Sequence, residues 1–160
     1  MEIELATVEQ AERVTGLWVA LAEEQVQYDS HVLPERNRSV VADELTRHAV
    51  TDRLLVASVG GDIVGFVMYT LDRGSYEMEV TQGVVENLYV EPEHRDEGIG
   101  GELLSAAERQ LDGLGADTVV LEAMAENLAG QRFYRRHGYG SHRVQLEKSL
   151  ESDNHSKEGQ

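Results

Sequence analysis

The stretch Val84–Leu104, VVENLYVEPEHRDEGIGGELL, predicts a strand, a charged loop with glycines and the start of a helix. Apolar and β-branched residues fill most of the run from Val84 to Val90, which is typical of a strand covered on both faces. Pro92 has no N–H to donate and therefore marks the end of that strand. From Ile99 onward apolar residues recur at helical spacing, so an amphipathic helix begins directly after the loop.

The loop before this helix has the features of an anion site. Gly98 and Gly100 let the backbone approach a ligand closely, and the first N–H groups of a helix have no partner within it. Such a junction suits a diphosphate. Two common phosphate motifs are excluded, because Gly101 and Glu102 replace the Lys-Ser/Thr of a P-loop, and Leu103 replaces the last glycine of the dinucleotide motif.

Length and composition narrow the function classes. The 160 residues are 41% hydrophobic, which indicates one folded domain with an ordinary core. There is no cysteine, which excludes thiolate metal sites and cysteine nucleophiles. The N-terminus has no signal-peptide pattern and no apolar run approaches the length of a membrane span, so we expect a cytoplasmic protein that binds no membrane. The six histidines show no metal-ligand spacing, and no metal is expected.

The charge is strongly acidic. Net charge is −16, and only Lys148 and Lys157 are lysine among 14 basic residues. Such a surface repels nucleic acid. It could attract a cationic substrate, but the scarcity of lysine favours adaptation to a high-salt cytoplasm, where charges are screened within a few Å. The sequence therefore has a halophilic, haloarchaeal character.

A second motif lies near the end of the chain, NLAGQRFYRRHGY from Asn127 to Tyr139. Asn127 and Tyr134 are separated by about two helical turns and so lie on one side of a helix. This segment lies well apart from the glycine loop in the sequence and is independent of it.

The two motifs together resemble the GNAT superfamily of acyl-CoA-dependent N-acyltransferases. Arg95-x-x-Gly98-x-Gly100 matches the family pattern Q/R-x-x-G-x-G/A, and the segment Asn127–Tyr139 matches N-x-x-A/G-x-x-F-Y-x-x-x-G-F. The preceding text, NLYV-PE-R, is similar as well. Asp96 departs from the family, in which many members have glycine, and adds a negative charge beside the anion site.

The resemblance covers residues 54 to about 139 and implies a fold. It is the GNAT fold of the mixed α/β class, a central mixed and mostly antiparallel sheet of six to seven strands with about four flanking helices. A splayed parallel strand pair holds the cofactor. Residues 1–150 are expected to form a single acyltransferase domain, and residues 151–160 a polar, disordered tail.

The chain's own patterns place the elements. Thr7 and Gln10 predict a capping box, and Gly60-Gly61 a hairpin turn. Strands are predicted at residues 1–6, 54–59, 63–71, 77–90, 117–123 and 139–148, and helices at about 7–24, 39–50, from 98 onward, and 127–137. His48 is interpreted as a residue packed at the edge of the second helix rather than a catalytic one.

The resemblance also implies the cofactor and its contacts. The implied cosubstrate is acetyl-CoA, and Asn127 is implied to form a hydrogen bond with its pantetheine or diphosphate arm. Tyr134 points its hydroxyl at the coenzyme sulfur and protonates the departing thiolate. The remaining predicted cofactor contacts are Leu88, Tyr89, Val90, Arg95, Asp96, Glu97, Gly98, Ile99, Gly100 and Gly101.

Amide formation requires a neutral amine, whereas a lysine-like amine with a pKa of about 10.4 is almost fully charged at neutral pH. A positioned base, directly or through water, helps remove the proton. Glu86 is our candidate, at a place where some GNAT enzymes carry a base; the alternative is a surface carboxylate. A backbone N–H near Tyr89 is the implied donor to the thioester oxygen. Tyr28 and Asp29 are predicted to line the acceptor site, or else to belong to an ordinary loop.

These observations predict an N-acetyltransferase that moves an acetyl group from acetyl-CoA to a primary amine by direct attack, without a covalent enzyme intermediate. The alternative is a catalytically silent acyl-CoA-binding sensor or interaction module of the same fold. The acceptor stays open among small amines and peptides. The oligomeric state stays open between a monomer and the homodimer that many relatives form.

Overall fold

The computed structural model describes residues 1–72, 74 and 76–151. The chain divides into two compact units, one from Met1 to Leu128 and one that begins at Ala129. The elements of the first unit, in chain order, are β1 (Glu2–Leu5), α1 (Ala11–Val26), α2 (Arg38–Val50), β2 (Leu54–Val59), β3 (Asp62–Leu71), β4 (Gln82–Val90), α3 (Ile99–Gly113) and β5 (Thr118–Leu121). The fourth helix, α4 (Leu128–Arg136), leads into the second unit.

The five strands form one sheet in the order β1-β2-β3-β4-β5. The first four are antiparallel neighbours, and β5 pairs in parallel with β4 after the α3 crossover. The mixed, mostly antiparallel sheet and the four helices are confirmed.

The predicted number of six to seven strands is wrong, because residues 139–148 form no strand. Val144 and Leu146 do alternate, but their side chains are 79% and 88% exposed. Alternation of side chains does not make a strand unless the backbone N–H and C=O groups find a neighbouring strand.

The sheet is covered by helices on both faces. Leu17 of α1 and Leu45 of α2 pack with Phe66 of the sheet in one buried cluster. Side chains alternate across a strand, so Gly65, the neighbour of Phe66, faces the other way. A Cβ at Gly65 would lie 3.3 Å from a methyl carbon of Leu103, which places α3 on the second face.

Several local predictions are confirmed. The Gln10 side-chain oxygen accepts a hydrogen bond from the Thr7 N–H at 2.9 Å, as a capping box requires. Gly60 and Gly61 both have positive φ in the turn between β2 and β3. The fourth strand is shorter than predicted, since it begins at Gln82 and not near residue 77.

Two predicted segments fall partly outside the description. The connection between the strands predicted at residues 63–71 and 77–90 includes Arg73 and Ser75, and the predicted tail includes residues 152–160, all of which lie outside the described residues. A single domain over residues 1–150 stays a prediction. Within the described part of the chain, no helix combines the length and the apolar character needed to cross a bilayer.

Candidate active site

Strand β4 has different neighbours along its length. Its first part, Gln82–Val85, pairs with Thr118–Leu121 of β5 and also with β3. The ladder with β5 ends at Val85, whereas β4 continues to Val90 with β3 as its strand partner. One backbone edge of the second part is therefore left without a strand in the described structure. The splayed parallel pair that the resemblance implies stays a prediction.

A β-bulge marks the point where the ladder with β5 ends. Val85 pairs with Tyr69 of β3, and Asn87 pairs with Met68, so Glu86 is an extra residue that has no partner on β3. A bulge of this kind bends the strand and redirects a side chain. The candidate base is thus placed at a position that the regular ladder does not constrain.

The loop after β4 turns sharply into α3. Asp96 and Gly98 have left-handed φ angles of 64° and 85°. Around Gly98 no atom lies within 4 Å of where a Cβ would be, so glycine here provides backbone conformation and open space rather than packing. The left-handed φ at Asp96 also explains why glycine is common at this position and why aspartate, which tolerates that conformation, can replace it.

The backbone of this loop offers several donors. Within the described chain, the N–H groups of residues 96–101 donate no hydrogen bond, and the first helical bond is from the Glu102 N–H to the Gly98 oxygen at 3.1 Å. These donors lie at the positive end of the α3 dipole. They form the kind of surface that binds a diphosphate through the backbone.

Arg95 is occupied by contacts within the protein. Its Nε donates to the Val90 carbonyl at 2.8 Å, and its guanidinium pairs with the Glu24 carboxylate at 2.7 Å. The guanidinium carbon also lies 5.3 Å from the centre of the Tyr89 ring. The side chain thereby ties the loop to the end of α1. That Arg95 binds the diphosphate itself stays a prediction, and this geometry favours a supporting role for its side chain.

Glu86 has an unexpected partner. The His48 Nε2 on α2 lies 2.8 Å from a Glu86 carboxylate oxygen, and the His48 Nδ1 lies 2.8 Å from the carbonyl oxygen of Glu44. The His48 side chain is 13% exposed and that of Glu86 is 30% exposed. His48 does pack at the edge of α2, but no local pattern indicates its contact with β4, because the pair is separated by 38 positions.

The second motif lies at α4. Asn127 immediately precedes the helix, and Gly138 closes it with a φ of 93°. The Tyr139 N–H donates to the Tyr134 carbonyl and the Gly138 N–H to the Arg135 carbonyl, which is the hydrogen-bond pattern of a Schellman motif. The Tyr134 ring packs edge-on against Phe133, with centroids 5.2 Å apart. Burial raises the pKa of the Tyr134 hydroxyl above its usual value of 10.0.

The predicted acceptor residues follow α1. Tyr28 is half-buried, and Asp29 is exposed with a positive φ of 74°. A groove of about 430 Å³ lies nearby, lined by Glu23, Val26 and residues 33–36, and neither predicted acceptor residue lines it. Their role in substrate binding stays a prediction. Residues 96–101 and Glu86 lie in the first unit, whereas Tyr134 belongs to the second.

Comparison with known proteins identifies the family. The profile of the Acetyltransferase (GNAT) family matches residues 18–139. The chain therefore belongs to the GNAT family of acetyltransferases, a family that uses acetyl-CoA. The matched region extends further toward the N-terminus than the motifs alone indicated, since it begins within α1.

Relatives support the same assignment at greater distance. An uncharacterized N-acetyltransferase, YhfO of Bacillus subtilis (strain 168), is 30% identical over 86 residues, which is 54% of this chain. The match spans 57% of that protein's own length. The chain therefore matches little more than half the length of this relative.

Solved structures show the same fold. A GCN5-related N-acetyltransferase from Ralstonia eutropha JMP134 superposes with a TM-score of 0.73 over 93% of this chain and 97% of its own, at 24% identity. The aminoglycoside N-acetyltransferase AAC(6')-Iy in complex with CoA gives a TM-score of 0.70 over 93% of this chain and 94% of its own, at 17% identity. At these identities the likeness concerns the fold.

Proposed function

We propose that this protein transfers an acetyl group from acetyl-CoA to a primary amine by direct attack. The observation that carries the proposal is the backbone of residues 96–101, whose N–H groups donate no hydrogen bond in the described chain and lie at the positive end of α3. The oxygens of a diphosphate can accept hydrogen bonds from these N–H groups, and their negative charge is favourable at the positive end of the helix. The edge of β4 directly before the loop has no strand partner in the described chain, and we propose that an extended pantetheine arm lies along it.

The Glu86 carboxylate is the proposed acceptor of the amine's proton. It lies on the bulge where the β4–β5 ladder ends. A primary ammonium has no lone pair, so one proton must leave before the nitrogen attacks the thioester carbon. Formation of the C–N bond then breaks the C–S bond. A backbone N–H near Tyr89 would stabilise the negative charge that develops on the carbonyl oxygen.

Tyr134 is the proposed donor to the departing thiolate. Burial keeps its pKa above the usual value of 10.0, so the hydroxyl stays protonated through the neutral and mildly alkaline range. Asn127, at the start of the same helix, is the proposed contact for the pantetheine or diphosphate arm. No covalent acetyl-enzyme is needed, because the amine itself attacks the thioester.

The acidic surface bears on the acceptor. A net charge of −16 raises the local concentration of cations, and the acceptor amine arrives as a cation. Aminoglycosides, polyamines, lysine side chains and peptide N-termini all meet this description. The relative with CoA bound is named as an aminoglycoside acetyltransferase, which is a reason to include aminoglycosides among the amines tested.

The test is release of free coenzyme A thiol from acetyl-CoA with a panel of these amines in molar KCl. We expect thiol release that depends on one class of amine and equals the amount of acetylated product. Binding of acetyl-CoA by calorimetry without thiol release from any amine would instead favour an acyl-CoA-binding sensor. Absence of acetyl-CoA binding would contradict both functions.

A further inference from the structure

Both ring nitrogens of His48 face hydrogen-bond acceptors. The Glu44 carbonyl can only accept, so Nδ1 must carry a proton to bond it at 2.8 Å. In the neutral ring, Nε2 would then present a lone pair to the Glu86 oxygen at 2.8 Å. An ionised carboxylate is also only an acceptor. The observed contacts are therefore favourable only when one further proton lies between His48 and Glu86.

The surroundings supply negative charge to this ring. Glu86 faces it from β4 and Glu44 from its own helix. The Glu44 carboxylate is partly balanced by Arg47 at 3.5 Å. Burial lowers the pKa of His48, but the hydrogen bonds to Glu86 and to the Glu44 carbonyl, with the charges of both residues, outweigh burial and raise it above the usual 6.5. The direction agrees with a proton held between ring and carboxylate.

A proton held between His48 and Glu86 prevents Glu86 from acting as a general base. A carboxylate that is hydrogen-bonded to an imidazolium is a poor proton acceptor, because a second proton would place a neutral acid beside a partly buried cation. Two groups this close titrate as a pair, with values that belong to both. Glu86 can accept a proton from an ammonium only after the pair has lost the one it holds.

We propose that His48 is a positioning residue that sets the pH above which Glu86 acts as a base. This inference rests on the proposed function. In the resting enzyme the pair holds one proton. Loss of that proton to solvent leaves a neutral ring and a free carboxylate. The pair then takes one proton from the substrate ammonium, the amine attacks, and the pair returns to its resting form.

The decisive variant is His48→Gln. A glutamine side chain at this position keeps an N–H group that can reach Glu86 but cannot titrate. We expect the ratio of kcat/KM, variant to wild type, to rise about tenfold for each pH unit below the apparent pKa of the pair. The amine's own ionisation is common to both enzymes and cancels in that ratio. A ratio that is independent of pH would overturn the proposal.

A matched control comes from another histidine beside a carboxylate. His94 Nδ1 lies 3.9 Å from Glu97, too far for a hydrogen bond. The ratio for His94→Gln should be flat across the same pH range. A melting curve of each variant shows whether the fold is kept. Equal pH-dependent ratios for both variants would assign the effect to general charge and contradict a specific pair.

A second readout does not depend on activity. The ring carbon and nitrogen shifts of His48, followed by NMR from pH 5 to 9, should titrate above 6.5 in the wild type and lower in Glu86→Gln. A His48 that titrates identically in both proteins would overturn the shared proton. If no amine is acetylated but the His48 titration differs between the two proteins as expected, the proposed function is wrong and the shared proton between His48 and Glu86 is still supported.

Discussion

The two halves of β4 show how one strand can serve stability and chemistry separately. Gln82–Val85 is paired to strands on both sides, and a Cβ at Gly83 would lie 2.8 Å from a Leu111 carbon of α3. Within the described chain, Asn87–Val90 pairs with β3 alone, follows the unpaired bulge residue Glu86 and leads into the loop with the open donors. The first half is fixed by packing, and the second carries the backbone and side-chain groups for which we propose a role in binding and catalysis.

The comparison predicts that substitutions will separate into two kinds. Changes in the anchored half, Gln82–Val85, should lower stability with little effect on cosubstrate affinity. Changes in the open half, Glu86–Val90 with its following loop, should impair binding or catalysis while the fold survives. The proposed proton donor, Tyr134 in α4, lies outside both halves of β4. Replacing it tests whether the open half is sufficient for the reaction.

The largest effect is expected for Tyr134→Phe. Removing the hydroxyl while keeping the ring should lower kcat by about 10²- to 10⁴-fold, the usual contribution of a positioned proton donor. KM for acetyl-CoA should change far less, since the interaction is made mainly in the transition state. The alkaline limb of the kcat profile, which burial places above pH 10.0 in the wild type, should disappear. Steady-state kinetics with the true acceptor would measure all three.

Near-wild-type kcat in Tyr134→Phe would show that water or another group protonates the thiolate. The role assigned to Tyr134 would then be wrong, and the open half of β4 would account for more of the chemistry. Tyr139→Phe serves as the control, because that residue also belongs to the second motif but has no proposed role in catalysis.

Gly98→Glu should weaken acetyl-CoA binding by about 10- to 100-fold, the loss of one or more hydrogen bonds to a charged group. The carboxylate would point into the space beside Gly98 where the diphosphate is proposed to lie. Isothermal calorimetry would measure the affinity.

Gly115→Glu is the matched control for Gly98→Glu. Gly115 follows the other end of α3, has a φ of 95° and likewise has no atom within 4 Å of a Cβ position. Both variants carry the same charge and the same backbone strain, but only the first should lose affinity. Equal affinities in the two variants would contradict the assignment of the Gly98 loop.

Gly83→Ala addresses the anchored half. Its Cβ would overlap three Leu111 side-chain carbons at 2.8 to 3.1 Å, and Leu111 is fully buried. We expect the free energy of unfolding to fall by about 1–3 kcal/mol from overpacking, with acetyl-CoA affinity unchanged. Denaturant unfolding and calorimetry would test the two statements. A loss of affinity equal to that of Gly98→Glu would show that the two halves are not separable.

The smallest effect concerns salt. The net charge of −16 repels itself when screening is weak, so the melting temperature should rise by several degrees between low and molar KCl. The Gly83→Ala variant should rise in parallel with the wild type, because its defect is apolar packing. A melting temperature independent of KCl would count against the prediction of halophilic character.

The order of elements was predictable because it depends on local pattern. Alternating and helical hydrophobic periods, with turn residues between them, located β2, β3 and α2 to within a residue of their bounds. The number of strands was not predictable in this way. Residues 139–148 carry enough alternation to suggest a strand, but pairing depends on which backbone lies beside them, and that is not encoded locally.

The backbone of the candidate site was predictable where a motif determines it. Gly98 and Gly100 indicated the helix start, and the structure places open N–H donors there. Contacts between distant segments left no sign in the sequence. The ties of Arg95 to Glu24 and of His48 to Glu86 span 71 and 38 positions, and an acidic chain offers too many carboxylates for such partners to be chosen from composition.

The extra residue at Glu86 also constrains how this strand can evolve. Gly83 faces α3, and Val90, seven positions later, lies beside Gly65 on that same face; an uninterrupted strand would have put them on opposite faces. Deleting one residue here would therefore turn Tyr89 out of the cluster of α1 and α2. Replacement of Glu86 disturbs no ladder partner. Descendants of this chain can exchange the side chain at position 86, and with it the acid–base chemistry, far more readily than they can lose the position.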